Sequence, residues 1–348
     1  MPYTKLKLLS RTDLLALTSF RNGEIKFGER IHLIESHNNW DQELKANDTK
    51  YVILGIPEDI GVKANLGRPG AATAYKSFLS SFLNIQHNRF CKGSWITVLG
   101  HLDFEPEMLE AAKLDTSIKE DRKRLFELVK AIDKEVSHTI SKIVSAGKIP
   151  IIIGGGHNNA YGNIKGAALA KGKAINCINF DAHTDFRPLE GRHSGNGFSY
   201  AFEEGFLKNY FIFGLHENYT SKTIFSDIKL HADRVKYNTY EQIRIRKEKS
   251  FDTELVTAQK HIDYTPYGIE IDLDAVPMIA SSAITPSGFS AERLRQFIQF
   301  FGKSKYATYL HICEGAPSLD FPTNNHLVGK LIAYLVTDFI KSNNERVL

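Results

Sequence analysis

Short apolar runs alternate with longer amphipathic stretches along most of this chain, and this alternation constrains the fold most. Seven runs rich in β-branched and aromatic residues are predicted strands: Tyr51–Ile56, Trp95–Leu99, Pro150–Ile153, Ala174–Phe180, Tyr210–Phe213, Tyr267–Leu273 and Tyr306–Cys313. Several are apolar on both faces, which is typical of a parallel sheet covered by helices on each side. The pattern therefore predicts a three-layer α/β/α sandwich with a mainly parallel central sheet.

The longest amphipathic stretch predicts a helix over Ile118–Ala146. Its apolar residues recur at spacings of three and four, as expected for a helix with one buried face. Ser117 and Glu120 have the spacing of a capping box, and Gly147 is a natural stop. Two further helices are predicted nearer the end of the chain: Ala291–Phe301 and Leu327–Lys341.

The chain shows no repeat, low-complexity segment or Pro/Ser-rich linker that divides it. We therefore expect one α/β/α domain over residues 49–348, with residues 1–48 forming an N-terminal extension packed on it. The polar stretch Lys229–Lys260 predicts a helical insertion or a long loop.

Charge and hydropathy exclude several classes of protein. The 348 residues include 44 Lys plus Arg and 40 Asp plus Glu, and the net charge of +4 is spread without a basic block. This distribution gives no case for a nucleic-acid partner. No apolar run approaches the ~18 residues of a membrane span, and Met1–Arg11 lacks the apolar stretch of a signal peptide. Three separated cysteines without a CxxC pair predict reduced thiols and a cytoplasmic location.

Ligand-type side chains begin where three predicted strands end: Gly154–His157, Asp181–Asp185 and Asp272–Asp274. Ligands bind at the carboxyl ends of the strands in an open parallel sheet, so these segments are expected to converge. If the second segment is extended, Asp181, His183 and Asp185 project to the same side.

The three segments together supply four carboxylates and two imidazoles. Such a group would suffer repulsion and desolvation unless cations neutralised it, and two divalent ions match four carboxylates. Oxygen-rich ligation with imidazole and no thiolate favours Mn²⁺, and two such ions would acidify a bound water. Taken singly, each segment has another interpretation: a turn or helix cap, a satisfied loop network, or a phosphate loop that lacks the P-loop Lys-Ser/Thr.

At these residues the sequence resembles the ureohydrolase (arginase/agmatinase) family. Gly154–His157, Asp181–Asp185 and Ile271–Asp274 are similar to its three signatures, and Leu54–Pro57 with Asn65–Ala71 is similar to its first strand and substrate loop. The resemblance covers roughly residues 50 to 340. It implies an α/β/α fold with two manganese ions per chain and a homo-oligomeric assembly.

The resemblance also implies roles for individual residues. One Mn²⁺ is expected to be held by His157, Asp181, Asp185 and Asp272, and the other by His183, Asp181, Asp272 and Asp274. A bridging hydroxide is expected to attack the amidine carbon of the substrate. Glu314 matches the family glutamate that binds the cationic amidine, with a surface carboxylate as the alternative. His193 is a candidate general acid, with a loop histidine as the alternative.

Arg187 stands where arginases usually carry Asn, and a guanidinium suits a carboxylate. The Asp-x-His-x-Asp-x-Arg pattern, GGGH and the Ser194–Asn196 turn resemble formimidoylglutamases, whose substrate has two carboxylates. The remaining candidate substrate-binding residues are Asn65, Arg68 and Arg192. For Arg187 the alternative is a structural ion pair, for example with Glu190.

The leading hypothesis is a Mn²⁺-dependent hydrolase that converts formimidoylglutamate to glutamate and formamide. The alternatives are an arginase, agmatinase or other guanidino-acid hydrolase, and a non-catalytic relative kept for assembly or regulation. Two departures from the family pattern lie beside the predicted ligands, since Glu270 replaces a common Ser and His311 replaces a common Asp. Both are expected to alter the surroundings of the metal.

Overall fold

The computed structural model describes residues 5–320 and 326–345. Within them nine strands form one sheet: β1 Leu6–Leu8, β2 Tyr51–Gly55, β3 Ile96–Leu102, β4 Ile149–Ile153, β5 Ile175–Phe180, β6 Leu207–Leu215, β7 Val235–Thr239, β8 Tyr267–Asp272 and β9 Ala307–Cys313. The α-helices are α1 Arg11–Leu17, α2 Trp40–Ala46, α3 Ile60–Ala64, α4 Ala74–Phe82, α5 Glu105–Ala112, α6 Lys119–Ser145, α7 Asn159–Lys171, α8 Gly197–Glu203, α9 Lys222–Leu230, α10 Phe251–Ile262, α11 Ala291–Gly302 and α12 Leu327–Asn344.

The strands are ordered β1-β3-β2-β4-β9-β8-β5-β6-β7. Only the β1–β3 pairing is antiparallel among these neighbours. Helices cover both faces of the sheet, so the predicted three-layer α/β/α sandwich is confirmed. The seven predicted strands are all present, with ends that differ by a few residues.

A separate apolar core lies on each face of the sheet. Alternate residues of the inner strands enter opposite cores, as Ile151 and Ile152 of β4 do. One core contains residues of α4, α10, α11 and α12, and the other contains residues of α2, α6, α7 and α8. Burial on both faces explains why the inner strands are largely apolar.

Both edges of the sheet differ from the prediction. The expectation of a helical insertion or long loop over Lys229–Lys260 was wrong in part, because this stretch contains β7 as well as α10. β7 is an edge strand with exposed Lys236 and Tyr237, so its sequence lacks an apolar run. At the other edge β1 pairs with β3.

The N-terminal part of the chain packs on the sheet through β1, with Leu6 paired to Leu102. The division into an extension (1–48) and a catalytic domain (49–348) stays a prediction. Residues 1–4, 321–325 and 346–348 of those ranges lie outside the described residues. The first of these gaps includes the start of the Met1–Arg11 segment. Among the described helices, none is long and apolar enough to cross a membrane.

The longest helix, α6, begins without the predicted capping box. Its N-cap is Ile118, and the Ser117 hydroxyl donates to Asp115 instead of capping the helix. This part of the prediction was wrong because a local turn offers Ser117 a nearer acceptor. At the other end Gly147 adopts a left-handed φ of 78°, as the predicted stop requires.

Close packing of α6 on α7 depends on residues without side chains. A Cβ at Gly166 would lie 2.5 Å from the backbone oxygen of Ser137, and one at Gly162 would lie 2.7 Å from Val136 Cγ1. The two helices therefore approach closely at these glycines. This contact fixes α7, and with it the loop before α7 that carries His157.

Candidate metal centre

Four adjacent strands deliver the predicted site residues to one edge of the sheet. In spatial order these strands are β4, β9, β8 and β5. His157 follows β4, Glu314 follows β9, Asp272 ends β8 and Asp181 follows β5. Residues that are up to 157 positions apart in sequence thus meet where parallel strands end.

The loop after β5 brings its three ligand-type residues together by turning, and the expected extended segment was wrong. β5 ends at Phe180, and Asp181 Oδ1 accepts a hydrogen bond from the backbone N–H of His183 at 2.7 Å. Asp185 has a φ of 43°, in the left-handed region. Asp adopts this region more readily than most non-glycine residues, and backbone conformations of this kind cluster at functional sites.

His157 lies at the centre of a first cluster of ligand-type atoms. Its Nδ1 is 2.7 Å from Asp185 Oδ2, 3.2 Å from Asp272 Oδ2 and 3.3 Å from Asp181 Oδ2. One ligand atom from each of these four residues lies within 4.8 Å of every other. The members are those the resemblance assigned to one metal ion.

A second cluster shares Asp272 with the first and opens towards solvent. One ligand atom each from His183, Asp272 and Asp274 lies within 4.8 Å of the others. His183 Nδ1 is also 3.5 Å from Asp181 Oδ1, so Asp181 faces both clusters. Asp272 Oδ1 accepts a hydrogen bond from the backbone N–H of Asp274, and this turn brings the two carboxylates together.

The buried atoms of the first cluster fit a metal ion. His157 is fully buried, and its Nδ1 faces carboxylate oxygens of Asp185, Asp272 and Asp181 at 2.7–3.3 Å. An imidazole nitrogen surrounded by three carboxylate oxygens offers a donor set suited to a divalent cation. The set contains oxygen and nitrogen donors, and Mn²⁺ accepts both.

Electrostatics of the site also favour a cation. Burial and the charges of Asp274 and Asp181 raise the pKa of Asp272 well above its usual value. Burial also raises the pKa values of Asp185 and Asp274. Because charged carboxylates repel one another in a buried site, bound cations would stabilise their ionised forms.

Glu314 follows β9 with a left-handed φ of 61°, and its carboxylate is held from two sides. The backbone N–H of His157 donates to Oε1 at 2.7 Å, and the Ser282 hydroxyl donates to Oε2 at 2.5 Å. Burial and the charge of Asp274 raise its pKa to about 8. A cationic ligand beside it would stabilise the ionised carboxylate.

The two clusters open into a cavity of about 220 Å³. Seven predicted site residues line it: Asn65, His183, Asp185, Arg187, Asp272, Asp274 and Glu314. Thr184, Tyr219 and Ser282 also line it and were missed by sequence reasoning. Tyr219 stacks on His183 with ring centroids 5.2 Å apart, a contact that no sequence motif signals.

Arg187 projects into the cavity between two polar neighbours. Its guanidinium donates to Asn65 Oδ1 at 2.8 Å and to Glu190 Oε1 at 2.9 Å. The side chain is 45% exposed, so it remains accessible to a ligand. Arg187 therefore makes the ion pair with Glu190, which was the structural alternative, and also lines the cavity.

Three candidate residues do not line the cavity as described: Arg68, Arg192 and His193. Arg192 is buried and its guanidinium pairs with Asp133, and Arg68 donates to the Ser282 carbonyl at 3.4 Å. His193 is buried, its Nδ1 accepts from Gly195 N–H, and burial with the nearby Arg187 charge lowers its pKa to about 4. This placement does not favour His193 as a proton donor or Arg192 as a substrate contact.

A mainly parallel α/β/α sheet with paired His/Asp clusters at its strand ends defines a class of proteins built to hold two metal ions. Residues 49–337 match the arginase family. This match covers most of the chain, so the chain belongs to the arginase family.

Individual relatives are identical to this chain at about a quarter of the aligned positions. The chain is 26% identical over 295 residues to a formimidoylglutamase of Macrococcus caseolyticus, covering 82% of this chain and 83% of that protein. It is also 26% identical over 306 residues to a formimidoylglutamase of Lysinibacillus sphaericus, covering 86% and 87% of the two chains.

Solved structures share the fold at lower identity. The formimidoylglutamase of Bacillus subtilis superposes with a TM-score of 0.73 at 19% identity, covering 95% of this chain and 96% of the other. A Trypanosoma cruzi formiminoglutamase with Mn²⁺ superposes with a TM-score of 0.69 at 18% identity, covering 92% and 98%. These likenesses confirm the arginase-like fold.

Proposed function

We propose that this protein is a Mn²⁺-dependent hydrolase that converts formimidoylglutamate and water to glutamate and formamide. The observation that carries the proposal is one cavity that combines two His/Asp clusters with Glu314 and a guanidinium. The relatives named as formimidoylglutamases, and the Mn²⁺ in one structural neighbour, support the choices of substrate and metal.

Six side chains would hold two Mn²⁺ ions. His157, Asp181, Asp185 and Asp272 would hold one, and His183 and Asp274 would hold the other together with Asp181 and Asp272. When bound, Mn²⁺ supplies an acidified water as nucleophile and polarises the substrate. The chain contributes the fixed geometry of the ligands, since His157 is fully buried and Asp181 and Asp272 accept hydrogen bonds from neighbouring backbone N–H groups.

Glu314 would bind the amidine group of the substrate. Its two oxygens already accept hydrogen bonds from His157 N–H and the Ser282 hydroxyl, so the carboxylate keeps one orientation. A cationic formimidoyl group beside it forms a charge-assisted contact and stabilises the ionised form of the glutamate. The amidine carbon would then lie next to the metal ligands, because Glu314 directly contacts the His157 backbone.

Arg187 would bind a carboxylate at the far end of the substrate. Its planar guanidinium offers paired N–H donors that match a carboxylate. A bare ammonium end, as in agmatine, would be repelled by the same group. Asn65 supports the guanidinium through Oδ1, so the two residues form one subsite.

We also propose that the protein acts in the cytoplasm as a homo-oligomer, on a small-molecule substrate and without a nucleic-acid partner. The three cysteines are all free and buried, which fits a reducing compartment. The oligomeric state follows only from the family resemblance, and size measurement of the purified protein tests it.

The substrate is tested by product analysis with a panel of amidines. Metal-stripped protein is loaded with Mn²⁺, and formamide and urea are measured after incubation with formimidoylglutamate, arginine, agmatine and a guanidino acid. We expect formamide from formimidoylglutamate in large excess over urea from any other compound. Urea release without activity on formimidoylglutamate would reject the substrate, and no activity at all would favour a non-catalytic protein.

A further inference from the structure

A hydrogen-bonded pair of a carboxylate and an imidazole lies in the sheet directly behind the proposed metal ligands. Glu270 in β8 is fully buried and is paired in register with His311 of β9. His311 Nδ1 lies 2.5 Å from Glu270 Oε2, and the Tyr309 hydroxyl donates to Glu270 Oε1 at 2.7 Å. A carboxylate placed in a sheet core is costly unless it is hydrogen-bonded, so these contacts hold it in one position.

Glu270 also faces the far side of the His157 ring. His157 Nδ1 points to the carboxylates of the first cluster, whereas Nε2 lies 3.6 Å from Glu270 Oε2. When Nδ1 binds a metal ion, neutral imidazole carries its proton on Nε2, and that N–H requires an acceptor. Nε2 is buried and has no hydrogen-bond partner among the residues the structure describes.

Other groups around the ring are weaker acceptors. Cys313 lies near His157, but its thiol is directed to the carbonyl of Ile271. Phe198 meets the imidazole edge-on, with ring centroids 5.1 Å apart, and offers no polar atom. His311 lies 6.2 Å away between centroids and its Nε2 faces the Gly154 carbonyl. Glu270 is therefore the acceptor that the surroundings of Nε2 provide.

We propose that Glu270, held by Tyr309 and His311, is a positioning residue that accepts the Nε2 proton of His157 and so directs Nδ1 to the metal. The inference rests on the proposed function for the metal and goes beyond it by assigning this carboxylate a role. His183 has different support, since its ring is partly exposed and stacks on Tyr219. Loss of Glu270 should consequently affect one metal ion more than the other.

The test is Mn²⁺ binding to metal-stripped protein, measured by the electron paramagnetic resonance signal of free Mn²⁺. Glu270→Gln keeps the size of the side chain and removes its charge. We expect one of the two binding events to weaken by about 10- to 100-fold, the range for residues that support a ligand, and the other to change by less than about threefold. Tyr309→Phe removes one donor to Glu270 and should weaken the same event by a smaller factor.

Glu254→Gln is the matched control. Glu254 is also a buried carboxylate, but it bonds to Asn238 and Lys249 and shares no hydrogen bond with the proposed ligands among the described residues. Both binding events should keep their wild-type affinity in this variant. Glu270→Gln with two unchanged events, or with a loss equal to that of Glu254→Gln, would overturn the inference.

Two further outcomes separate the inference from the proposed function. If the wild-type protein binds fewer than two Mn²⁺ ions, both are overturned. If the wild-type protein binds two Mn²⁺ ions, and Glu270→Gln and Tyr309→Phe bind them with wild-type affinity, the inference fails and the proposed function stands. Should Glu270→Gln not fold, Tyr309→Phe decides, and unchanged binding by that variant would overturn the inference.

Discussion

Asp272 and Asp181 each face both clusters, so in the proposed centre these two residues matter most for holding two ions close together. Removing the charge of a shared ligand affects both ions, whereas removing a terminal ligand affects one. Asp272 is also buried, where water cannot replace the lost carboxylate oxygen.

Asp272→Asn is expected to lose at least one Mn²⁺ per chain and to lower kcat/KM by more than about 100-fold, beyond the effect of a residue that only supports a ligand. Metal analysis after gel filtration and steady-state kinetics measure the two effects. Asp252→Asn is the control, since the Asp252 side chain is 86% exposed and should show no change. Full metal content with normal kinetics would remove Asp272 from the centre.

Arg187→Ala is expected to raise KM for formimidoylglutamate about 10- to 100-fold, because hydrogen bonds between charged groups contribute roughly 1.5–3 kcal/mol. Metal content should stay at the wild-type value. Arg89→Ala makes the same change in net charge outside the described cavity lining and should leave KM within about twofold. Equal effects of the two substitutions would point to long-range charge in place of a direct contact.

Sequence alone predicted that these His and Asp residues converge at one edge of the sheet, but not the direction of each side chain. His193 and Arg192 follow the Asp181–Asp185 loop closely in sequence, yet they turn inward to Gly195 and Asp133. Tyr219 and Ser282 line the cavity from the segments that follow β6 and β8. Those positions depend on tertiary packing, and no local pattern records them.

At the level of elements, apolar runs predicted the inner strands because both faces of these strands are buried. The edge strands β1 and β7 were missed for the opposite reason. β1 has three residues, and β7 exposes two consecutive residues, so neither carries a run of apolar side chains. Their pairing is set by neighbouring strands rather than by their own composition.

The packing of α6 against α7 provides a test of the fold behind the site. Gly166→Ala places a Cβ against the Ser137 carbonyl, which belongs to the backbone and has little freedom to move. We expect the free energy of unfolding to fall by about 1–3 kcal/mol, measured by denaturant titration. Gly147→Ala meets no neighbouring atom and strains only the left-handed backbone, so about 1 kcal/mol is expected. If Gly166→Ala left the free energy of unfolding unchanged, the two helices would be able to move apart without a loss of stability.

Glu58 joins the segment after β2 to the start of α7, and it makes stability depend on pH. Its carboxylate accepts hydrogen bonds from Asn158 and Asn159, and burial raises the pKa of Glu58 from 4.5 to about 7. The folded protein thus holds a proton that the unfolded chain has released between these pH values. This proton stabilises the fold below pH 4.5, and its contribution is lost as the pH rises through 7.

Glu58→Gln is expected to abolish this loss of stability at rising pH. The free energy of unfolding of the variant relative to wild type should rise by roughly 3 kcal/mol between about pH 5 and pH 8, because a proton held only by the folded protein changes stability by about 1.4 kcal/mol per pH unit. Denaturant titration of metal-stripped protein at both pH values measures the difference. Glu127→Gln, at an exposed position, is the control with no expected slope. A relative stability that falls with pH would contradict the assignment.

For the whole molecule, the sheet turns distant sequence motifs into one site. Four adjacent strands end at the same edge, and two apolar cores hold them there from both faces. The net charge of +4 includes the four aspartates of the clusters, so two bound Mn²⁺ ions would make the loaded protein more basic. A basic protein attracts a substrate whose two carboxylates outweigh its one cationic group, and this effect weakens with salt.

The central claim is that these six side chains hold two ions side by side. Anomalous scattering at the manganese edge, from a crystal of the Mn²⁺-loaded protein, tests it most directly. We predict two peaks per chain, one among His157, Asp181, Asp185 and Asp272, and the other among His183, Asp181, Asp272 and Asp274. A single peak, or a peak bound by Cys313 in place of the aspartates, would contradict this account.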